Sequence, residues 1–192
     1  MPPTNSTMLP LGTTAPGFAL PDPEGRVHDL DRVMGERGLL VAFICNHCPY
    51  VKHVFKELAR LGDELPGLGI GMVGIMSNDI EHYPDDAPER MAETALEQDW
   101  RFPYLFDASQ EVAKAYTAAC TPDFFLFDAD RRLAYRGQLD DSRPNSDTPV
   151  TGKDLRGAVA ALAAGSPVPT EQVPSLGCGI KWIPGRAPAY AD

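Results

Sequence analysis

Cys45 and Cys48, in the stretch FICNHCPYVKH, stand with two residues between them. That spacing suits three kinds of chemistry. Two such thiols can close a disulfide within one turn, one attacking a partner disulfide and the other resolving the mixed species. They can also begin a metal site, or simply fill a core as small apolar residues. A tetrahedral zinc site needs two further ligands. Cys120, Cys178 and scattered histidines offer them, but no second C-x-x-C follows. Packing alone explains neither the spacing nor the setting, so the pair reads first as a redox couple, with metal binding as the alternative. His47 adds an imidazole able to stabilise a neighbouring thiolate, and Lys52 and His53 follow it.

The elements around the pair set its chemistry. LLVAFIC is a continuous apolar run ending at Cys45, as in a central strand buried on both faces. From Pro49 the period changes: Val51, Val54, Phe55, Leu58, Leu61 and Leu65 recur at helical spacing. Cys48 therefore opens a helix, where free N–H groups and the positive end of the dipole stabilise a thiolate.

Elsewhere FAL and RVHDL around PDPEG predict a hairpin, and IGMVGIMS and FPYLF predict strands. APERMAETALEQDW predicts a helix with Pro88 in its first turn. Asp107 with Gln110 resembles a capping box before the helix QEVAKAY, and Thr151 with Asp154 another before a helix over 153–164. DFFLFDADRRLAYRGQL predicts two strands around DADR. The expected organisation is one α/β domain over 1–164, including the hairpin. A proline-rich tail, 165–192, is expected to be extended and packed on it.

Further residues bear on the pair. Thr121-Pro122 stands at a strand entrance, where a proline is tolerated; a cis peptide there would present the Thr121 backbone to an extended partner chain. Cys120 would then lie near the redox face, as an exchange partner or a buried small residue. Cys178 could resolve an oxidised Cys45 or Cys48, or pair with Cys120, if the tail folds back under the anchorage of Trp182. Asp79, after a strand, is either a proton acceptor for the resolving thiol or a turn residue. His28 and His82 read as surface residues, and YPDDAPE as an acidic turn without the spaced ligands of a calcium loop.

Composition narrows the partners. A chain of 192 residues with 43% hydrophobic and 23% charged residues is ordinary for a single globular domain. Its formal net charge of -10 repels phosphate backbones, which argues against nucleic acid. No apolar run reaches the roughly 18 residues of a membrane span. The N-terminal stretch lacks the basic start and apolar core of a secretory signal. A cytoplasmic location is expected, where permanent disulfides are disfavoured.

Together APGFALPDPEG, CNHCPYVK, SND with YPDDAPERM, AYTAACTPDFFLFD, YRGQLDDSRP and PSLGCGIKW resemble the thioredoxin-fold superfamily. The resemblance is strongest to its peroxiredoxin-like AhpC/TSA branch with a C-x-x-C. It implies a mixed central sheet flanked by helices and thiol–disulfide exchange, Cys45 being the exposed attacking thiol and Cys48 the resolving one. Asn46 and His47 match the pair that tunes redox potential, and Thr121 and Pro122 the cis-proline opposite the cysteines. No bound cofactor is implied, but an external reductant of the thioredoxin or glutathione type must reset the pair. Partners would be protein or small-molecule disulfides and dithiols, or peroxides; the oligomeric state is open. In peroxiredoxins the peroxide-reacting cysteine corresponds to Cys48. Cys45 then stands where a hydroxyl residue is expected, and Arg143 is the candidate for the arginine of that site. Ile44 replaces the tryptophan of thioredoxins.

Overall fold

The computed structural model describes residues 3–191. In chain order the strands and helices are β1 (Thr4–Asn5), β2 (Ala19–Pro21), β3 (Val27–Asp29), α1 (Leu30–Val33), β4 (Gly38–Phe43), α2 (Pro49–Glu64), β5 (Ile70–Met76), α3 (Pro88–Glu97), β6 (Tyr104–Phe106), α4 (Glu111–Ala115), β7 (Cys120–Thr121), β8 (Asp123–Asp128), β9 (Leu133–Gly137), α5 (Lys153–Ala163) and β10 (Leu176–Gly179).

The central sheet has the order β6-β5-β4-β8-β9. Strands β4, β5 and β6 run parallel, while β8 and β9 pair antiparallel. β4 lies in the middle and is buried along its whole length, which is why its sequence shows no alternation of apolar and polar residues. Alternate side chains face opposite layers. Leu40, Ala42 and Ile44 pack with Val51, Val54, Leu58 and Leu61 of α2 and Leu155 and Val159 of α5. Leu39, Val41 and Phe43 pack instead with Phe18 and Leu20 beside the hairpin, Leu30 of α1, and Ala113 and Tyr116 near α4. This is the expected mixed sheet flanked by helices.

Two capping expectations fail. Gln110 is the N-cap of α4, but in a left-handed conformation without a side-chain cap bond. Its amide donates instead to Ser77 O and Lys181 O, which fastens the tail; the Asp107 carboxylate accepts from Ala113 N. At α5 the N-cap is Gly152, at φ 65°, and Asp154 turns away to accept from Gln138. In both places the second residue of the pattern, Gln110 or Asp154, turns to a distant partner, while Asp107 and Thr151 still accept from Ala113 N and Lys153 N at the helix starts.

Two further pairings lie far apart in the chain. Ser6 N donates to Ser175 O, and β10 lies between β1 and β7 in a three-stranded sheet. The stretch after residue 165 is mostly extended, as its prolines require, but it contributes a strand to the sheet beside Pro122 and ends in a short turn at Ala189–Ala191.

Candidate active site

Pro49 is the first residue of α2, and a residue before proline is driven out of the helical region. Cys48 accordingly has φ -64° and ψ 125° and becomes the N-cap. Its carbonyl accepts from Val51 N and Lys52 N, at 3.1 and 3.0 Å. Its sulfur is left at the N-terminal opening of the helix. All four cysteines are free thiols.

The two thiols of the motif are unlike each other. Both Cys45 and Cys48 are fully buried. Burial first, then the hydrogen bond to Cys48 and the charge of Asp86, push the Cys45 thiol well above its usual value. Cys48 is lowered to about 5, chiefly by the hydrogen bond from Cys45, with help from the Cys178 thiol and the N–H groups of Val51 and Cys178. In its neutral form the Cys48 thiol donates to Thr121 O at 3.2 Å. The expectation that Cys45 is exposed is corrected: it is enclosed, as is Cys48.

A carboxylate overlooked in the sequence organises the other side. Asp86, in the acidic turn before α3, is fully buried. It accepts from Asn46 N at 2.8 Å, from Asn78 Nδ2 at 2.7 Å and weakly from His47 N at 3.3 Å, and pairs with His47 Nδ1 at 2.6 Å. Burial would raise its pKa, but these bonds outweigh that and hold it below the usual carboxylate value. The same bond raises His47. The imidazole stacks on Tyr83, 5.6 Å between centroids, and Asn46 is held by Tyr104 Oη and by Asp85 O. The two residues between the cysteines are thus fixed in place. Nothing in YPDDAPE separates Asp86 from exposed Asp85 except the turn that points one of them inward.

Donor atoms of Cys45, His47 and Asp86 lie within 4.8 Å of one another. The His47 nitrogen and the Asp86 oxygen already face each other, so a metal ion would have to break that bond. Among the described residues this trio has no fourth acidic, histidine or cysteine donor.

Other candidates fall variously. The Thr121–Pro122 peptide is cis, and Thr121 Oγ1 lies 3.4 Å from Cys45 Sγ. The Thr121 backbone is paired with Cys178 of β10, so the edge expected to receive a partner is taken by the tail. Cys120 is buried, which raises its thiol pKa, and its Sγ donates weakly to Pro122 O at 3.7 Å. The Asp79 carboxylate accepts from Glu81 N and pairs with His82 Nδ1 at 2.6 Å, as a turn residue does. Arg143 donates to Asp140 O, Ser142 O and Gln138 Oε1, which occupies its guanidinium with its own loop. Trp182 packs edge-on against Tyr190.

A sheet of this order, with a C-x-x-C between its central strand and the following helix, is the thioredoxin fold. The chain belongs to the AhpC/TSA family, which matches residues 11–136. It is 54% identical to an "uncharacterized conserved protein" from Geobacillus kaustophilus, whose crystal structure superposes with a TM-score of 0.94 over 96% of this chain and 98% of that one. It is 28% identical over 137 residues to the thiol-disulfide oxidoreductase ResA of Geobacillus thermodenitrificans, covering 68% of this chain and 70% of the relative. A secreted disulfide oxidoreductase of Mycobacterium tuberculosis, 19% identical, shares the fold with a TM-score of 0.58 over 75% and 95% of the two chains. The ResA relative supports an oxidoreductase role. No helix among the described residues is long and apolar enough to cross a membrane.

Proposed function

We propose that the protein exchanges thiols and disulfides through Cys45 and Cys48, with Cys48 as the nucleophile. One observation carries this reading: Cys48 is the N-cap of α2 with its sulfur 3.2 Å from Thr121 O, and Cys45 Sγ lies 3.4 Å from Thr121 Oγ1 of the same cis-proline turn. The Cys48 thiolate attacks a substrate disulfide, forming a mixed disulfide and releasing one substrate thiolate. Cys45 then loses its proton, attacks Cys48 Sγ and releases the second thiol. The His47 imidazole beside Cys45, in its unprotonated form, is the proton acceptor for that step, since it is partly exposed and can pass the proton to water. Two electrons move from the dithiol to the substrate, and an external thiol of the thioredoxin or glutathione class returns them. The chemistry needs no bound cofactor, and a reducing compartment such as the cytoplasm suits it.

A second reading, thiol peroxidase, is favoured by the Cys48 thiolate and the Thr121 hydroxyl near the pair. Cys48 would become a sulfenic acid and condense with Cys45, releasing water. The engagement of Arg143 with its own loop argues against it.

Mixing the reduced protein with oxidised glutathione, and separately with hydrogen peroxide, distinguishes the readings. Fast closure of Cys45–Cys48 by the disulfide, with peroxide no faster than on free cysteine, is the expected result. The reverse pattern makes the protein a peroxidase. Stoichiometric metal bound under reducing conditions, and lost in Cys45→Ser, would count against both.

A further inference from the structure

The tail strand places a third sulfur at the same site. β10 pairs antiparallel with β7, Cys178 opposite Thr121 and Gly179 opposite Cys120. Thr121 is also the residue whose carbonyl lies 3.2 Å from Cys48 Sγ. Cys178 packs on the cluster that holds Cys45 and Cys48. It is half-buried where they are fully enclosed. The strand sits tightly, for a Cβ on Gly177 would fall 2.0 Å from Thr121 O and 3.2 Å from Pro122 N. Beyond it Ile180 N donates to Ala119 O, Lys181 N to Asn78 Oδ1 and Ile183 N to Gln110 Oε1. The tail is bound along its length, and its cysteine lies on the backbone edge that an extended disulfide substrate would otherwise pair with.

We propose that Cys178 is the outward thiol of a three-sulfur relay: the disulfide closed between Cys45 and Cys48 passes to Cys48 and Cys178, and the small external thiols that reset the pair enter at Cys178. This rests on the exchange function proposed above. In the internal step Cys178, whose thiol pKa is raised by burial to about 12, first loses its proton, and the thiolate then attacks Cys48 Sγ. The Cys45–Cys48 bond breaks, and Cys45 leaves with the electron pair and takes up the proton that Cys178 lost. The step is an isomerisation and consumes no oxidant or reductant. A small thiol then attacks Cys178 Sγ and releases Cys48 as a thiolate, the best leaving group of the three because its pKa is lowest. A second small thiol attacks the mixed disulfide, releasing the small disulfide and restoring Cys178.

Two geometric facts select small partners of the glutathione class. The enclosed pair has no exposed sulfur, and the edge that a polypeptide would use is already filled by β10.

The test maps disulfides by mass spectrometry after acid quenching. Wild-type protein treated with less than one equivalent of oxidised glutathione should show Cys48–Cys178 alongside Cys45–Cys48. Cys45→Ser should convert one equivalent into Cys48–Cys178 and free glutathione, without a lasting glutathione adduct on Cys48. In Cys178→Ser the reduction of Cys45–Cys48 by glutathione should slow at least tenfold. Absence of Cys48–Cys178 from the wild-type digest, together with an unchanged reduction rate in Cys178→Ser, overturns the relay and leaves the exchange function standing. Failure of wild-type Cys45 and Cys48 to exchange with oxidised glutathione overturns both.

Discussion

At Cys48 burial and hydrogen bonding pull in opposite directions, and hydrogen bonding prevails because the largest donor, the Cys45 thiol, is enclosed with it. The thiolate should therefore persist to about pH 5. Titration followed by thiolate ultraviolet absorbance should lose its signal on acidification through that pH. Cys48→Ser should lack the signal, and Cys45→Ala should move its midpoint upward. An unchanged midpoint in Cys45→Ala would show that the helix end, not the second thiol, holds the charge. Asp86 gives a second prediction. Its carboxyl is lowered in the folded state and His47 is raised. The stability from Asp86 is thus present above the ordinary carboxylate pKa and lost as pH falls through its lowered value. That from His47 is present below the ordinary imidazole pKa and lost as pH rises through its raised value. Asp86→Asn should cost about 2–4 kcal/mol between these limits, and less at pH 9 than at pH 6. Urea denaturation at the two pH values checks the sign.

Elements explain why part of this site can be read from the chain and part cannot. The change from a continuous apolar run to helical spacing at Pro49 places Cys48 at a helix mouth without any tertiary information. So does Pro122 at a strand entrance. The pairing of Cys178 with Thr121 has no local signature, because a strand's register against a segment far away is fixed by what fills the space between. Asp107 and Gln110 matched a capping pattern, yet Gln110 donates to Ser77 O and Lys181 O, and Asp107 accepts from Ser77 Oγ as well as from Ala113 N of α4. The inward turn of Asp86 is likewise set by Asn46, His47 and Asn78, which converge from elsewhere. Gly177 carries the element-level prediction. Its missing Cβ lets β10 lie against the Thr121–Pro122 backbone, which cannot yield as a flexible side chain could. Gly177→Ala should destabilise by about 1–3 kcal/mol and speed amide exchange in residues 176–180. It should also raise the Cys48 pKa, since the N–H and thiol of Cys178 move away. Amide exchange and the thiolate titration read these separately; a lost strand with an unmoved Cys48 midpoint would remove β10 from the active site.

Across the whole molecule the site closes where three distant segments meet. β1 and β10 pair near the chain's two ends, β10 pairs with β7, and Asp123 opens β8 directly after Pro122. Asp123 is fully buried, and neither carboxylate oxygen has a hydrogen-bond partner that meets ordinary geometry; the same holds for the buried hydroxyl of Ser6. Burial pushes its pKa from 3.8 to about 7, against the weaker pull of Ser6 and Ser175 nearby. The folded protein therefore keeps this proton over a range in which the unfolded chain has lost it. Stability from the neutral carboxyl is complete below about pH 4 and declines as pH rises to about 7, where the folded state must carry an enclosed charge. The full swing is about 4 kcal/mol. Asp123→Asn carries no titrating proton, so its stability relative to wild type should improve by about that amount from pH 4 to pH 8. Denaturant midpoints of both proteins under reducing conditions measure the difference. A gap between them that is constant with pH would mean that Asp123 is already ionised in the fold, with its charge met by partners from the two chain ends.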